Sequence, residues 1–332
     1  MRLLVTGGAG FIGSNFVHYW LERYPDDHVV VYDLLTYAGN RASLADVDDR
    51  IVFVQGDIAD LDLATKVLAD ERIDTVVNFA AESHNSLAVL DPGLFARTNV
   101  LGTQLLLEAS RGAGVARFHH ISTCEVFGDL ALDSEDVFTE ESPYRPRTPY
   151  NASKAAADHY VRAYHETFGL PVTITNCSNN YGAYQFPEKV LPLFITNALD
   201  DLPLPMYAST QNKREWLHVL DHCSAIDLVL RRGREGETYN VGSGLEATIE
   251  EIADLVLEAT GKPASLKTIV PDRPGHDRRY LLDASKIRAE LGWEPTRGWH
   301  DGLAETVFWY AEHRDWWEPL KERAPVEETA WR

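Results

Sequence analysis

Gly7, Gly10 and Gly13 stand directly behind the apolar run Leu3-Leu4-Val5, in the segment Thr6-Gly7-Gly8-Ala9-Gly10-Phe11-Ile12-Gly13. No other feature limits the possible folds as strongly. An apolar run, a glycine-rich turn and a following amphipathic stretch predict strand, turn and helix within the first fifteen residues. Each glycine meets a physical demand. Gly7 permits the tight turn out of the strand, Gly10 lets main chain approach a pyrophosphate, and Gly13 brings the new helix close to the strand. The helix N-terminus then offers free N–H groups and a partial positive charge to phosphates. Phe11 and Ile12 lie in the same turn and join the three glycines as candidate dinucleotide contacts.

A second apolar run, His28 to Asp33, ends in an acid twenty residues after Gly13. A carboxylate there accepts hydrogen bonds from ribose hydroxyls and repels a 2′-phosphate, so Asp33 favours NAD over NADP. Further runs follow at Ile51–Val54, Thr75–Ala81, Phe118–Thr123 and Val172–Thr175, with helical stretches such as Asn99–Gly112 between them. Repeated βαβ units with continuous apolar strands predict an α/β, doubly wound parallel sheet of the Rossmann type, covered on both faces. Ligands of such sheets bind at the carboxyl ends of the strands. Asp57, Ile58, Ala80 and Ala81 lie at such ends and are further cofactor-binding candidates.

After about residue 180 the rhythm loosens and prolines become frequent, as at Pro187, Pro192, Pro203 and Pro205. The expected organisation is an NAD-binding domain over 1–180, with a return to its sheet near 220–245, and a smaller C-terminal substrate-binding lobe mainly within 181–332. The Trp316-Trp317 pair reads as packing or interface. The net charge of −20 argues against a nucleic-acid partner. No run approaches the ~18 apolar residues of a membrane span, and a strand at the N-terminus does not read as a signal segment, so a cytoplasmic location is expected. Three cysteines without a CxxC pair offer neither a disulfide framework nor a zinc site. The histidines have no metal-ligand spacing, and no metal is expected.

Tyr150-Asn151-Ala152-Ser153-Lys154 places a phenol and an ammonium at i and i+4, one turn apart on one helix face. A free tyrosine is a poor base at neutral pH. A cation beside it favours the phenolate, which can take a hydroxyl proton while hydride leaves to NAD. Thr123, at a strand end, can hydrogen-bond the same hydroxyl.

These segments resemble the short-chain dehydrogenase/reductase superfamily in its extended, nucleotide-sugar-modifying branch, and within it the dTDP-glucose 4,6-dehydratases. The resemblance spans nearly the whole chain, through GGAGFIGSNF at 7–16, DLLTYAGN at 33–40, AAESH at 80–84, YNASKAAAD at 150–158, NCSNNYGAYQFPEK at 176–189, KREWLHV at 213–219 and DRPGHDRRY at 272–280. It implies tightly held NAD, a nucleotide-diphosphate sugar between the lobes, and a homodimer with a four-helix interface. It implies oxidation at sugar C4 by Thr123, Tyr150 and Lys154, and removal of the C5 proton by Glu125. It also implies sugar, diphosphate or base contacts from Ser83, His84, Asn85, Asn179, Lys189, Arg214, Arg273 and His276.

The chain departs from the family pattern around the sugar. Where the family reads Ser-Thr-Asp-Glu, this chain has Ser122-Thr123-Cys124-Glu125, so the acid that serves the C6 hydroxyl is a thiol. Asn85-Ser86-Leu87-Ala88 replaces a Val-Asp-X-Ser run, and Phe127 replaces a tyrosine. Three readings stand at this stage. Cys124 or a water beside it protonates C6 and the protein is a working 4,6-dehydratase. Alternatively the sugar is a nucleotide glucuronate, whose 4-ketone loses CO2 without a C6 acid, giving a UDP-4-keto-pentose or UDP-xylose. Or the C6 hydroxyl leaves without reduction (a 5,6-dehydratase), or the ketone returns as a 4-epimer. Cys124 as a packing residue, and an NAD-binding sensor without turnover, are the non-catalytic counterparts.

Overall fold

The computed structural model describes residues 1–272 and 274–323. Among these, seven strands form one parallel sheet: β1 (Arg2–Thr6), β2 (His28–Asp33), β3 (Ile51–Gln55), β4 (Thr75–Asn78), β5 (Arg117–Thr123), β6 (Val172–Cys177) and, after three strands of smaller sheets, β10 (Thr238–Val241). Their order across the sheet is β10-β6-β5-β4-β1-β2-β3, all neighbours parallel. Between β1 and β4 the chain changes direction of travel, and a crevice opens there at the carboxyl ends.

Helices cover both faces because alternate strand residues point to opposite sides. Leu3 and Val5 of β1 pack with Phe16 and Trp20 of α1 (Phe11–Arg23). Leu4, between them, packs against Ala64 and Val67 of α2 (Leu61–Asp70). The chain then passes through α3 (Asn85–Leu90), α4 (Pro92–Phe95), a π-helical turn (Ala96–Gly102), α5 (Thr103–Ala113) and the long α6 (Pro149–Phe168). Helix α5 packs on α2 and on α6, so these three cover the same face as Leu4. On the face of α1, α8 (Val219–Arg232) joins through Val219, Cys223 and Ile226; α7 (Val190–Leu199) precedes it in the chain.

Beyond β6 the chain builds a second cluster. It uses β7 (Asn179–Tyr181), β8 (Leu204–Tyr207), β9 (Lys213–His218), β11 (Glu246–Thr248) and β12 (Lys267–Val270), as a three-stranded sheet β11-β9-β7 and a pair β12-β8. Helix α7, α9 (Ile249–Thr260), α11 (Trp299–Glu312) and α12 (Arg314–Lys321) pack there, with α10 (Ser285–Leu291) against the sheet edge at β10. Trp317 is fully buried in this cluster, donating from Nε1 to the Tyr310 carbonyl at 2.7 Å. No described helix is long and apolar enough to cross a membrane.

Two details differ from the sequence expectation. The strand expected over Thr75–Ala81 ends at Asn78, and Phe79 to Ala81 run on as loop along the crevice. The helix expected over Asn99–Gly112 is a π-turn followed by α5. Asn99 of that turn donates to the Glu82 carbonyl at 2.9 Å and accepts from the Glu82 N–H at 2.8 Å. A π-turn often marks a functional position, and here it fixes the loop at the end of β4.

Candidate active site

A cleft of about 430 Å³ runs along the carboxyl ends of the parallel strands. At one end lies the glycine turn. Gly7 has φ of +64°, and a Cβ there would fall 2.6 Å from the Ala80 nitrogen. A Cβ on Gly13 would fall 2.3 Å from the Gly7 carbonyl oxygen. The first needs glycine's backbone freedom and the second its missing side chain. Gly10 is the N-cap of α1, and no side chain caps that end. The first-turn N–H groups of α1 therefore have no side-chain acceptor, an arrangement that suits a phosphate.

Asp33 closes the same end from the tip of β2. Its carboxylate accepts from the Ala9 N–H at 2.9 Å and the Leu35 N–H at 2.7 Å, while burial pushes its pKa up. Asp57 accepts from the Ala59 N–H at 2.8 Å and sits 2.6 Å from an Arg97 nitrogen. Ile58, Ala80 and Ala81 line the wall between them.

At the opposite end, Thr123 caps a 3-10 turn (Cys124–Phe127), and its Oγ1 accepts from the Glu125 N–H at 3.3 Å. Glu125 faces Asn85, whose side-chain nitrogen donates to Oε2 at 3.2 Å. Asn85 in turn accepts from the Thr148 hydroxyl at 3.1 Å, so it ties Glu125 to the start of α6. Tyr150 and Lys154 reach the cleft from α6. Burial, and then the charge of Glu125, pushes the Tyr150 phenol well up, while the Thr123 hydroxyl bonded to it acts the other way. The Lys154 ammonium donates to the Ile121 carbonyl at 2.7 Å, and burial lowers its pKa to about 8.

Cys124 touches the cleft wall but is only 1% exposed, in an apolar cluster with Val126, Phe127, Leu130, Phe138 and Tyr280. Burial, reinforced by the Glu125 charge, pushes its thiol well up. It is a neutral packing group there, with no activating cation at hydrogen-bond range among the described residues.

Of the residues singled out for substrate, Ser83, Asn85, Asn179 and Lys189 line this cleft. Lys189 donates to the Ser83 carbonyl at 3.1 Å, and the Asn179 side-chain oxygen is buried without a hydrogen-bond partner among the described residues. His84 lies behind the wall, capping α3 through Nδ1 and contacting Glu188 through Nε2 at 3.1 Å. Arg214, on β9, donates to the main-chain carbonyls of Lys213, Arg278 and Asp277 and lies over the Tyr280 ring. His276 sits farther out, 3.2 Å from the Ser209 hydroxyl. Arg273 falls outside the described residues. Tyr37, Glu82, Arg97, Gln185 and Phe186 also line the cleft without having been singled out. Tyr37, Glu82, Gln185 and Phe186 stand inside the segments that carry the resemblance, but nothing in their spacing sets them apart. No group of metal-ligating side chains occurs among the described residues.

A family model described as GDP-mannose 4,6 dehydratase matches residues 4–306. A dTDP-glucose 4,6-dehydratase of Streptomyces antibioticus is 49% identical over 328 residues, covering 97% of this chain and 96% of that protein. Among solved structures, the dTDP-glucose 4,6-dehydratase DesIV from Streptomyces venezuelae, with NAD and TYD bound, matches with a TM-score of 0.93 and 52% identity, over 96% of this chain and all of that one. A UDP-glucose 4-epimerase of Thermus thermophilus, in complex with NAD, matches with a TM-score of 0.87 and 33% identity, over 94% of this chain and 100% of that one.

Proposed function

The chain belongs to the GDP-mannose 4,6-dehydratase family of nucleotide-sugar enzymes, and from that premise we propose that it is an NAD-dependent dTDP-glucose 4,6-dehydratase, a lyase of deoxysugar biosynthesis. The observation that carries the reading is one cleft lined by both the glycine turn and the Thr123–Glu125–Tyr150–Lys154 group.

The residues at the first end fit NAD. The uncapped α1 N-terminus and the glycines suit its pyrophosphate, and Asp33 suits the adenosine ribose. Bound there, NAD supplies the hydride acceptor for sugar C4 and the donor that completes the reaction. Tyr150 takes the C4 hydroxyl proton, helped by the Thr123 hydroxyl and the Lys154 charge. Glu125, held by Asn85, takes the C5 proton that the 4-ketone has made acidic. Asn179 and Lys189 face the sugar-diphosphate side. The Asn179 oxygen, buried without a partner, is suited to a substrate donor.

The buried thiol at 124 cannot replace a carboxylic acid, because its pKa moves away from neutrality rather than toward it. Dehydration to a 4-keto-6-deoxy sugar then draws the C6 proton from water in the cleft. The same observation favours a second reading, a 5,6-dehydratase. There Glu125 alone passes the C5 proton to the departing C6 hydroxyl, Tyr150 returns its proton to O4, and no further acid is needed.

Substrate deuterated at C4 separates the two. Deuterium on a C6 methyl beside a ketone supports the 4,6-dehydratase; deuterium back on C4 beside a 5,6-alkene supports the second reading. Release of CO2 from UDP-glucuronate, with dTDP-glucose untouched, would overturn both. A homodimer is proposed as well, supported by the exposed Leu101, Tyr160 and Phe168 on the adjoining π-turn and α6. A cytoplasmic location is proposed on the strength of the biosynthetic reading, whose nucleotide-sugar substrate and NAD are made inside the cell.

A further inference from the structure

The segment 183–189, between β7 and α7, joins the second cluster to the cofactor end of the cleft. Its Gln185, Phe186 and Lys189 line the cleft. Its ties run to the two elements that form the nucleotide end, α1 and the loop after β2. Asn15, on the second turn of α1, donates to the Ala183 carbonyl at 2.9 Å. Tyr37, four residues beyond Asp33, donates to Glu188 Oε1 at 2.8 Å and sets its ring edge-on to Phe186 at 5.4 Å.

The course of this segment is strained and held. Tyr184 has φ of +63°, in the left-handed region that a bulky side chain rarely enters. Such a residue persists only where its surroundings over-determine it. Here its ring stacks on His18 of α1 at 5.6 Å and meets Trp309 of α11 and Trp316 of α12 edge-on, at 4.8 and 5.6 Å. The Tyr310 hydroxyl donates to the next carbonyl, that of Gln185.

Glu188 is the point at which three segments meet, and its side chain is buried. His84 Nδ1 accepts from the Leu87 N–H at 3.1 Å, so the ring proton sits on Nε2, 3.1 Å from Glu188 Oε2. Lys189 Nζ lies 3.6 Å from Oε1. Burial works against the Glu188 charge, but His84, Lys189 and Tyr37 outweigh it and hold the carboxyl below its usual range. Burial, and then the charge of Glu188, pushes the Tyr37 phenol up, so it keeps its proton and donates.

We propose that residues 183–189 are a strap that retains NAD in the cleft, and that the Tyr37–Glu188 hydrogen bond is its fastening. The inference rests on the NAD-dependent reading above, in which the nucleotide is reduced and reoxidised within one turnover. A nucleotide lost in between would leave the sugar oxidised and the protein without its reductant. The glycine turn cradles the pyrophosphate but joins nothing across the cleft. The strap does so, by linking the loop after β2 to the second cluster, and the nucleotide leaves only when that link parts. Tyr37 and Glu188 are positioning residues, since they act through the loops they join. Glu188 also stands beside Lys189, which faces the sugar-diphosphate side.

The test follows exchange of bound NAD for radiolabelled NAD by ultrafiltration. Tyr37→Phe keeps the ring against Phe186 and His84 and removes only the hydroxyl. Exchange in this variant should be roughly ten- to a hundredfold faster than in the parent, the scale of one hydrogen bond to a charged group. Asn15→Ala should speed exchange by less, because the bond it removes joins neutral groups. Turnover of dTDP-glucose by Tyr37→Phe without added NAD should decay with time and return when NAD is added. A merely structural loss would not be rescued in this way. Exchange at the parent rate in Tyr37→Phe, or a decay that added NAD does not reverse, overturns the strap. If Asn15→Ala does not fold, the phenylalanine variant decides alone. The two inferences fail differently. A wild type that holds no nucleotide and takes none up removes the NAD reading, whereas a wild type and a Tyr37→Phe that retain it equally remove only the strap.

Discussion

The two ends of the cleft are made of different material. The cofactor end is main chain: a left-handed Gly7, a Gly13 with no room for a methyl group, and an uncapped helix terminus. The sugar end is side chains holding one another: Thr148 on Asn85, Asn85 on Glu125, and Lys154 on the Ile121 carbonyl. A site made of backbone tolerates almost no substitution at its glycines yet asks little of its other residues. A site made of side chains can change its chemistry by exchanging one group, and the departures at Asn85, Cys124 and Phe127 all lie at or behind that end.

Four measurements probe the contrast. Tyr150→Phe should reduce kcat by about 10²–10⁴-fold while nucleotide-sugar affinity stays near the parent value; retention of more than about a tenth of the activity would remove the phenol as base. Gly13→Ala should strike the opposite end, since its methyl would meet the Gly7 carbonyl at 2.3 Å. The cost is about 1–3 kcal/mol of overpacking, read as a lowered Tm and poor retention of NAD on gel filtration. Near-normal NAD retention in that variant would break the distinction between the two ends.

The third measurement is the pH profile of kcat. Lys154 must be charged to favour the phenolate, and its folded pKa is about 8, below the usual lysine value. Activity should therefore decline as pH rises through about 8, and a plateau extending well beyond that point would mean that the charge is supplied elsewhere. The linked stability has the opposite sign. Between this pKa and the unfolded one the unfolded chain binds more protons, so this group makes stability rise with pH across that window. The smallest effect is expected for Cys124→Ala, with turnover changed less than about tenfold, below the scale of a lost general acid. A larger loss with unchanged Tm would make the thiol a participant.

The same contrast explains what was legible in the sequence. The parallel sheet showed itself because its strands are continuous apolar runs, and the glycine turn because its spacing is local. The strand over Thr75–Ala81 was overrun because Phe79, Ala80 and Ala81 are as apolar as a strand while serving as cleft wall. Arg214 has the chemistry for a diphosphate, and that three main-chain carbonyls position its guanidinium could not be read from the sequence. The burial of Cys124, which decides its acidity, likewise comes from Tyr280 and Phe138, distant in the chain.

The edge position of β10 has a consequence for how the chain is made. Strand β6 is buried along its whole length, and its outer neighbour arrives only at residues 238–241, after β7, α7, β8, β9 and α8 have been synthesised. Until then Val172–Cys177 presents an open ladder of N–H and C=O groups flanked by apolar side chains, which is a template for pairing between chains. A fragment ending near residue 180 should therefore aggregate rather than fold. During synthesis, the delay between β6 and β10 is the interval in which the nascent chain most needs shielding.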